Sequence, residues 1–219
     1  MKKKSFHSLI LILVLAAIPL LVGSQCAFFF STGGGSDDDD EDKEEEIVVV
    51  ATGSLGTIPV AGVDYVSGSV SGVTGSNGEF QYEIGQPVQF AIGDIKLGRA
   101  VGGKPVITAA DLVAPGALAA PAATNVERLL LSLDAQPGDG IITIPAEVRA
   151  RARYSNDTVS VAIEYLDFAD DDAFANSASQ LVAALTGDYP FTAVLLDAAT
   201  VHALYRDSGL PTAVDPPTE

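Results

Sequence analysis

The chain has 219 residues, with 29 acidic against 12 basic side chains and a formal net charge of −17 at pH 7. This charge disfavours nucleic acid and anionic membrane surfaces as partners, because phosphate binding needs clustered Lys and Arg side chains. A single cysteine excludes an internal disulfide. The absence of tryptophan, together with many Ala, Gly and Val residues, predicts a core of small side chains.

The first residues are typical of a secretory signal peptide, which we assign to residues 1–25. Three lysines at 2–4 precede an apolar run over 9–22, and two small residues follow that run. A transmembrane helix needs about 20 apolar residues, whereas this run is shorter and contains Pro19. A removed signal is therefore favoured over a retained N-terminal anchor.

Cys26 stands just after this apolar run. It resembles the lipid-attachment cysteine of bacterial lipoproteins, whose thiol is acylated and which becomes the new N-terminus. Gln25 departs from that motif, which prefers Gly, Ala or Ser before the cysteine. Residues 22–24 also suit ordinary signal cleavage, so simple secretion is the alternative to lipidation at Cys26.

Residues 26–46 are predicted to be a tether. The stretch STGGGS is flexible, and the nine acids within residues 37–46 repel one another, so the segment stays extended and solvated. Acidic runs soon after the lipid cysteine resemble the surface-export signals of some outer-membrane lipoproteins, and a solvated linker is the alternative. Together with the signal, the tether predicts an exported protein, anchored to the outer membrane of a Gram-negative envelope or exposed at the cell surface.

Residues 47–105 show the period-two pattern of short strands punctuated by glycine. The stretch EIVVVAT predicts a first strand. The dipeptides Asn77-Gly78 and Gly93-Asp94 are signals for two-residue turns between strands. One strand is predicted to place three apolar side chains on a single face: Val88, Phe90 and Ile92.

Residues 106–214 change to the period of helices, and residues 215–219 read as a frayed tail. Thr108 is a predicted N-cap, and Glu127 and Arg128 are predicted to form a local ion pair. Further helices are predicted at IPAEVRARAR, DDDAFANSASQLVAALTG and LLDAATVHALYRDSG. One helix is predicted to carry an apolar stripe of Val126, Leu129, Leu130 and Leu133. The predicted fold class is α+β, a small antiparallel β-sandwich followed by a packed helical layer.

The stretch from about Gly62 to Arg151 resembles a module that recurs near the N-termini of exported bacterial lipoproteins and adhesin-like proteins. The shared pattern is S-G-x-T-x-x-x-G-x-F-x-Y, then G-x-x-V-x-F-x-I-G-x-I-x-L-G, then N-x-x-R-L-L-x-x-L-D and I-x-I-P-x-x-V-R. Through TGSNGEF, the β part also resembles carboxypeptidase-regulatory-like and pilin-type B domains. The resemblance implies export and surface display. It implies no reaction, since most members have no assigned activity.

The sequence offers no obvious catalytic group. His202 is the one histidine that remains after signal removal, and its neighbours on the predicted helix do not form a metal cluster. The stretch GSVSG has the letters of a nucleophile elbow, but that motif must lead into a helix, and here it leads into a predicted strand. Without a nucleophile paired with a base, we expect no enzymatic activity.

Calcium is the one cofactor that the sequence leaves open. Asp134 and Asp139 lie in a Gly/Pro loop, and the stretch YLDFADDDAF concentrates several more carboxylates. Oxygen ligands at this density suit Ca²⁺, although three acids of that stretch also lie where a helix N-terminus favours negative charge, and plain capping is the favoured explanation for them. Neither loop has the spacing of an EF-hand. The predicted metal ligands are Asp134, Asp139, Asp167, Asp170 and Asp171.

Taken together, these patterns predict a non-enzymatic, surface-displayed lipoprotein that acts as a binding or structural module in adhesion or an extracellular assembly. Its expected partners are another protein or a second copy, and the lipid bilayer through the anchor, but no nucleic acid. The stretch EEEIVVVAT is the predicted sheet edge for such pairing. Two alternatives remain: an accessory or inhibitory envelope lipoprotein that regulates an enzyme or transporter, and a calcium-responsive scaffold.

Overall fold

Ten strands and six helices are formed by the residues that the computed structural model describes, which are 48–116, 119–153 and 157–209. The strands are β1 (Val50–Leu55), β2 (Val60–Ala61), β3 (Asp64–Ser67), β4 (Val70–Val73), β5 (Glu79–Glu83), β6 (Pro87–Ile92), β7 (Ile95–Lys96), β8 (Val101–Gly102), β9 (Val106–Ile107) and β10 (Ile142–Thr143). The helices are α1 (Ala109–Leu112), α2 (Ala119–Ser132), α3 (Ala146–Arg151), α4 (Asp157–Glu164), α5 (Asp171–Leu185) and α6 (Ala198–Asp207). The signal, Cys26 and the tether lie outside the described residues.

The first sheet has the strand order β5-β1-β9. β1 runs antiparallel to β5, from the pair Val50 and Glu83 to the pair Ser54 and Glu79. On its other side it runs parallel to β9, but only over its last two residues. Among the described residues, β1 is therefore a central strand at its end and an edge strand at its start.

The second sheet has the order β4-β3-β6-β7, and β8 also pairs with β6. β6 and β7 pair from Ile92 and Ile95 across the dipeptide Gly93-Asp94, which confirms the predicted two-residue turn. Gly93 has a φ of 59°, a conformation that glycine adopts without steric cost. The side chains at 88, 90 and 92 are fully buried, so the predicted face is also confirmed.

The turn at Asn77-Gly78 forms, but its flanking strands do not pair with each other. β4 pairs with β3, whereas β5 pairs with β1 in the other sheet. Gly78 has a φ of 74°, and its N–H donates to the Gly75 carbonyl oxygen over 2.9 Å. The turn signal was therefore right locally, and it carries the chain from one sheet to the other.

Aromatic rings join the two sheets into a sandwich. The ring centroid of Phe80, on β5, lies 6.0 Å from that of Tyr65 on β3 and 5.0 Å from that of Phe90 on β6. The exposed fractions of Phe80 and Phe90 are 1% and 0%. Burying each phenyl ring contributes about 1.5–3 kcal/mol, so these contacts are a major part of the sheet-to-sheet packing.

The helical layer follows the predicted stripes. The four predicted stripe residues, at 126, 129 and 130 of α2 and at 133 just after it, are all buried. α1 begins after Thr108, whose N–H and hydroxyl both donate to the Asp111 carboxylate, over 2.8 and 2.9 Å; this confirms the cap. α5 begins after Asp170, whose carboxylate accepts from two backbone N–H groups of the first turn. The fold class is α+β, as predicted.

Two short strands tie the helical layer to the sandwich. β9 pairs with β1, and β10 pairs parallel with β2, at Ile142 with Val60 and Thr143 with Ala61. β10 and α4 were not predicted. The described residues belong to one unit, 46–219. Within these residues, no helix has both the length and the apolar character needed to cross a membrane.

Candidate functional site

One side of β1 is open at the start of the strand. The Ile84 N–H donates to the Val49 carbonyl oxygen over 2.9 Å, so the backbone of Val49 faces β5. The Ser54 N–H donates over 2.8 Å to the Pro105 carbonyl oxygen, on the opposite side of the strand. Because backbone groups alternate along a strand, odd-numbered residues here face β5 and even-numbered residues face away from it.

Val50 and Thr52 therefore direct their N–H and C=O groups away from β5. On that side β9 pairs only with residues 54 and 55, and no other strand in the described ranges pairs with β1 there. The side chains of Val48, Val49 and Val50 are also exposed, by 42%, 54% and 43%. We call residues 48–52 the open edge. It forms the end of the stretch predicted as a pairing edge, which is residues 44–52, and β9 pairs with β1 just beyond that stretch.

Two glutamates of β5 lie on one face of the sheet, near the open edge. Glu83 is directly opposite Val50, and Glu79 is opposite Ser54, so these side chains share a face of the sheet. The Glu79 carboxylate accepts hydrogen bonds from the side chain and backbone of Asn77, and the side-chain bond is the main reason that the pKa of Glu79 lies below its usual value. Glu79 is therefore ionised at neutral pH, and this face carries negative charge.

In the first predicted calcium loop, which contains Asp134 and Asp139, the carboxylates accept hydrogen bonds from nearby backbone N–H groups. Asp134 is 5% exposed, and its Oδ1 atom accepts from the N–H groups of Gln136 and Thr143 over 3.1 and 3.0 Å. Burial raises the pKa of Asp134, the two backbone hydrogen bonds lower it, and the charge of Asp139 raises it further. Asp139 accepts from the Ile141 N–H over 2.9 Å. These carboxylates already hold the loop that leads into β10.

The second predicted calcium loop caps α5. Asp170 accepts from the Asp172 and Ala173 N–H groups over 3.0 and 2.9 Å, and Asp167 accepts from the Ala169 N–H over 2.9 Å. Asp171 accepts from the side chain of Asn125. Across the described parts of the chain, no three His, Cys, Asp or Glu side chains lie close enough to hold a metal ion. Calcium binding at either loop stays a prediction.

A polar network on α2 was not predicted. Asn125 is 1% exposed, and its side-chain amide donates to the Asp171 carboxylate over 2.8 Å and to the Phe168 carbonyl oxygen over 3.0 Å. Arg128 donates to the Asn125 side chain over 2.8 Å and to the Leu196 carbonyl oxygen over 2.7 Å. The network joins α2 to α5 and to the segment before α6. The N-x-x-R spacing was its sequence signal, because residues three apart are neighbours on a helix.

The predicted ion pair between Glu127 and Arg128 is wrong, because consecutive residues on a helix point in different directions. Glu127 is 5% exposed and accepts a hydrogen bond from Tyr205 of α6, which is also buried. Its Oε2 atom is buried without a hydrogen-bond partner. Burial raises the pKa of Glu127 to about 7, although the Tyr205 hydroxyl opposes the shift. Nothing in the sequence signalled this carboxyl group.

His202 lies on α6 beside a pocket of about 260 Å³ that Asn125 and Asp171 also line. Its Nε2 atom is buried without a hydrogen-bond partner. A larger groove of about 720 Å³ lies between the β6–β7 turn and the turn before α5. Its wall is mostly apolar, and its charged lining residues are Asp94, Lys96, Arg99 and Asp167.

Comparison with known proteins gives a partial similarity. No family model and no solved structure matches the chain. Two curated proteins are each 43% identical to it over 53 residues, which is 24% of this chain and 4% of the relative. They are "Putative lipoprotein YghJ" of Escherichia coli O78:H11 (strain H10407 / ETEC) and "Putative lipoprotein AcfD homolog" of Escherichia coli strain K12. The chain thus spans a small part of the length of these relatives, and the similarity agrees with the resemblance to bacterial lipoproteins.

Proposed function

We propose that the protein is an exported lipoprotein of the bacterial cell envelope whose globular part binds a partner protein at the open edge. The signal pattern, the position of Cys26 and the acidic tether support export and anchoring. The names of the two relatives support the lipoprotein class. The anchor attaches the protein to the outer membrane, and the tether projects the globular part outward.

The open edge is the observation that carries the binding role. Val50 and Thr52 present backbone donors and acceptors without a strand partner among the described residues, next to exposed valines. An extended segment of another protein adds to such an edge through main-chain hydrogen bonds, and its alternate side chains give specificity.

The protein performs this role without chemistry of its own. Nucleophilic catalysis needs a nucleophile and a base within hydrogen-bonding distance of each other. The buried Nε2 atom of His202 has no hydrogen-bond partner, and this supports a packing role for the ring. A hydrolase activity that is abolished by His202→Gln in an otherwise stable protein would contradict this part of the proposal.

Site-specific photo-crosslinking in cells tests the binding role. A photoreactive residue at Thr52, on the open edge, is compared with one at Tyr165, which is 65% exposed on the helical half. We expect a discrete protein adduct from position 52 only, and we expect Val50→Pro to remove it, because proline lacks the N–H that faces the partner. Identical adducts from both positions, or an adduct that persists with Val50→Pro, would contradict binding at the open edge.

Metabolic labelling with palmitate tests the anchor separately. The wild-type protein should carry the label and Cys26→Ser should lose it, because this chain has a single thiol. Label retained in the variant, or absent from both proteins, would leave simple secretion as the explanation of the signal.

A further inference from the structure

The sequence that precedes the open edge and the β5 residues on the face of Val50 are both acidic. Residues 37–46 contain nine acids and one lysine and end shortly before the open edge in the chain. Glu79 and Glu83 lie on the same face as the side chain of Val50. The whole chain carries a formal net charge of −17. A segment that adds to the open edge therefore enters a region of negative potential.

Alternate side chains of an added strand would lie on the same face of the sheet as these acids. Neighbouring strands lie about 4.8 Å apart, so an added strand lies about 10 Å from β5. The Glu83 carboxylate accepts from the N–H and the hydroxyl of Ser69 over 3.0 and 3.1 Å, so Glu83 attracts a lysine or arginine beside Val50 by its charge across this distance and not through a direct ion pair. The next position on that face lies beside Thr52, in the direction of Glu79.

The open edge also limits the length and the pattern of the segment. Pairing is available over residues 48–52, and the hydrogen bond from Ser54 to Pro105 closes the strand beyond them. Side chains of the added strand alternate between the acidic face and the face of Ala51, which is half-buried. The fitting pattern is a short run in which basic residues alternate with small or β-branched apolar residues.

A second copy of this chain fits the open edge poorly. It would bring another net charge of −17 to the contact, and repulsion between like charges opposes such association. A cationic segment is instead attracted over a distance and then held by backbone pairing.

We propose that the open edge binds an extended, lysine- or arginine-rich segment of another protein, of about five residues, by strand addition. This partner class rests on the proposed function above, and it specifies the chemistry of the same site.

Fluorescence anisotropy with the full chain in detergent tests the partner class. The probes are a short labelled peptide of alternating lysine and valine, its counterpart with glutamate for lysine, and the lysine peptide with N-methyl groups on alternate backbone nitrogens. The lysine peptide should bind at least about tenfold more tightly than either counterpart, because each counterpart lacks either the charge or the backbone donors. The N-methylated peptide keeps the full charge, so it separates strand addition from general attraction to the acidic tether.

Variants locate the binding on the chain. Val50→Pro should weaken the lysine peptide about tenfold, and the matched control Val50→Thr, which keeps the N–H, should change it less than about twofold. The double variant Glu79→Gln and Glu83→Gln should weaken it about threefold at low salt and by less at high salt. Thr52→Pro gives a second, independent test of the edge.

The outcomes separate this inference from the proposed function. Equal binding of the lysine and glutamate peptides, or binding that is unchanged by both proline variants, overturns the cationic partner. If the peptides fail while the crosslink from position 52 still depends on the Val50 N–H, the edge remains a protein-binding site and only the partner chemistry is wrong.

Discussion

The polar groups of the helical half and those of the open edge differ in whether they have partners within the protein. On α2, the side chains of Asn125 and Arg128 are engaged by side-chain and carbonyl partners on neighbouring segments. At the open edge, the backbone groups of Val50 and Thr52 face a side where no strand of the described residues pairs with them. The comparison separates polar groups that stabilise the fold from polar groups that we propose to bind a partner.

Arg128→Ala should produce the largest effect, because it breaks the network at its centre. The variant removes hydrogen bonds to Asn125 and Leu196 and the contact of the guanidinium with the Phe174 ring, whose centroid lies 5.0 Å away. It also leaves the side-chain oxygen of the buried Asn125 without this donor, so the free energy of unfolding should fall by about 3 kcal/mol. Urea unfolding followed by circular dichroism measures the change.

Arg206→Ala is the matched control for that prediction. Arg206 is an exposed arginine on α6, and substitutions at such positions change stability by about 0.5 kcal/mol or less. If the two variants lose similar stability, the network does not hold the helices together, and the contrast with the open edge fails.

Glu127 is an exception inside the helical half, and it makes stability depend on pH. Its pKa rises from 4.5 in the unfolded chain to about 7 in the folded protein, so the folded state binds the proton more tightly. This contribution is fully present below pH 4.5 and is lost as the pH rises to about 7. The loss amounts to about 3 kcal/mol.

Unfolding measurements of Glu127→Gln from pH 4 to pH 8 test the sign. The variant should lack most of the decline that the wild-type protein shows between these limits, because a glutamine does not ionise. Glu147→Gln, at an exposed position of α3, should keep that decline. A wild-type protein that gains stability between pH 5 and pH 7, relative to Glu127→Gln, would contradict the buried-carboxyl interpretation.

Local patterns in the sequence predicted much of the fold, and long-range pairing accounts for what they missed. The buried face of β6, the stripe of α2 and the Thr108 cap each depend on residues within a few positions of one another. The partition of β4 and β5 between two sheets depends on residues far apart in the chain. The same holds for the pairing of β10 with β2.

The candidate site was predictable in part for the same reason. A valine-rich strand preceded by acids predicted an edge, but only the pairing of β9 with residues 54 and 55 shows which part of β1 stays open. The burial of Glu127 depends on Tyr205, which follows it by nearly eighty residues. No local pattern records such a contact, and the incorrect ion pair with Arg128 was the result.

The cap of α5 should have a smaller effect and distinguishes capping from calcium binding. Asp170→Ala removes the acceptor of two backbone N–H groups and should cost about 1 kcal/mol, whereas Asp170→Asn, with a good capping side chain, should cost a few tenths. Thermal unfolding is measured with excess calcium and with a chelator. The same difference in both conditions supports capping, and a difference that appears only with calcium supports the metal site.

Val50→Pro should have the smallest effect on stability, although the same change is expected to weaken binding about tenfold. The N–H that proline removes faces away from β5, so no hydrogen bond between these strands is lost. Proline is tolerated on edge strands for this reason, and the free energy of unfolding should fall by less than about 1 kcal/mol. Ala51→Pro is the matched control, since the Ala51 N–H faces Tyr82 on β5, and it should cost about 2–3 kcal/mol through the lost hydrogen bond and the displaced strand. The stability losses of these two proline variants thus show on which side of β1 the backbone N–H groups are hydrogen-bonded within the protein. Equal losses from both variants would mean that the start of β1 is held on both sides, and the open edge would not exist in solution.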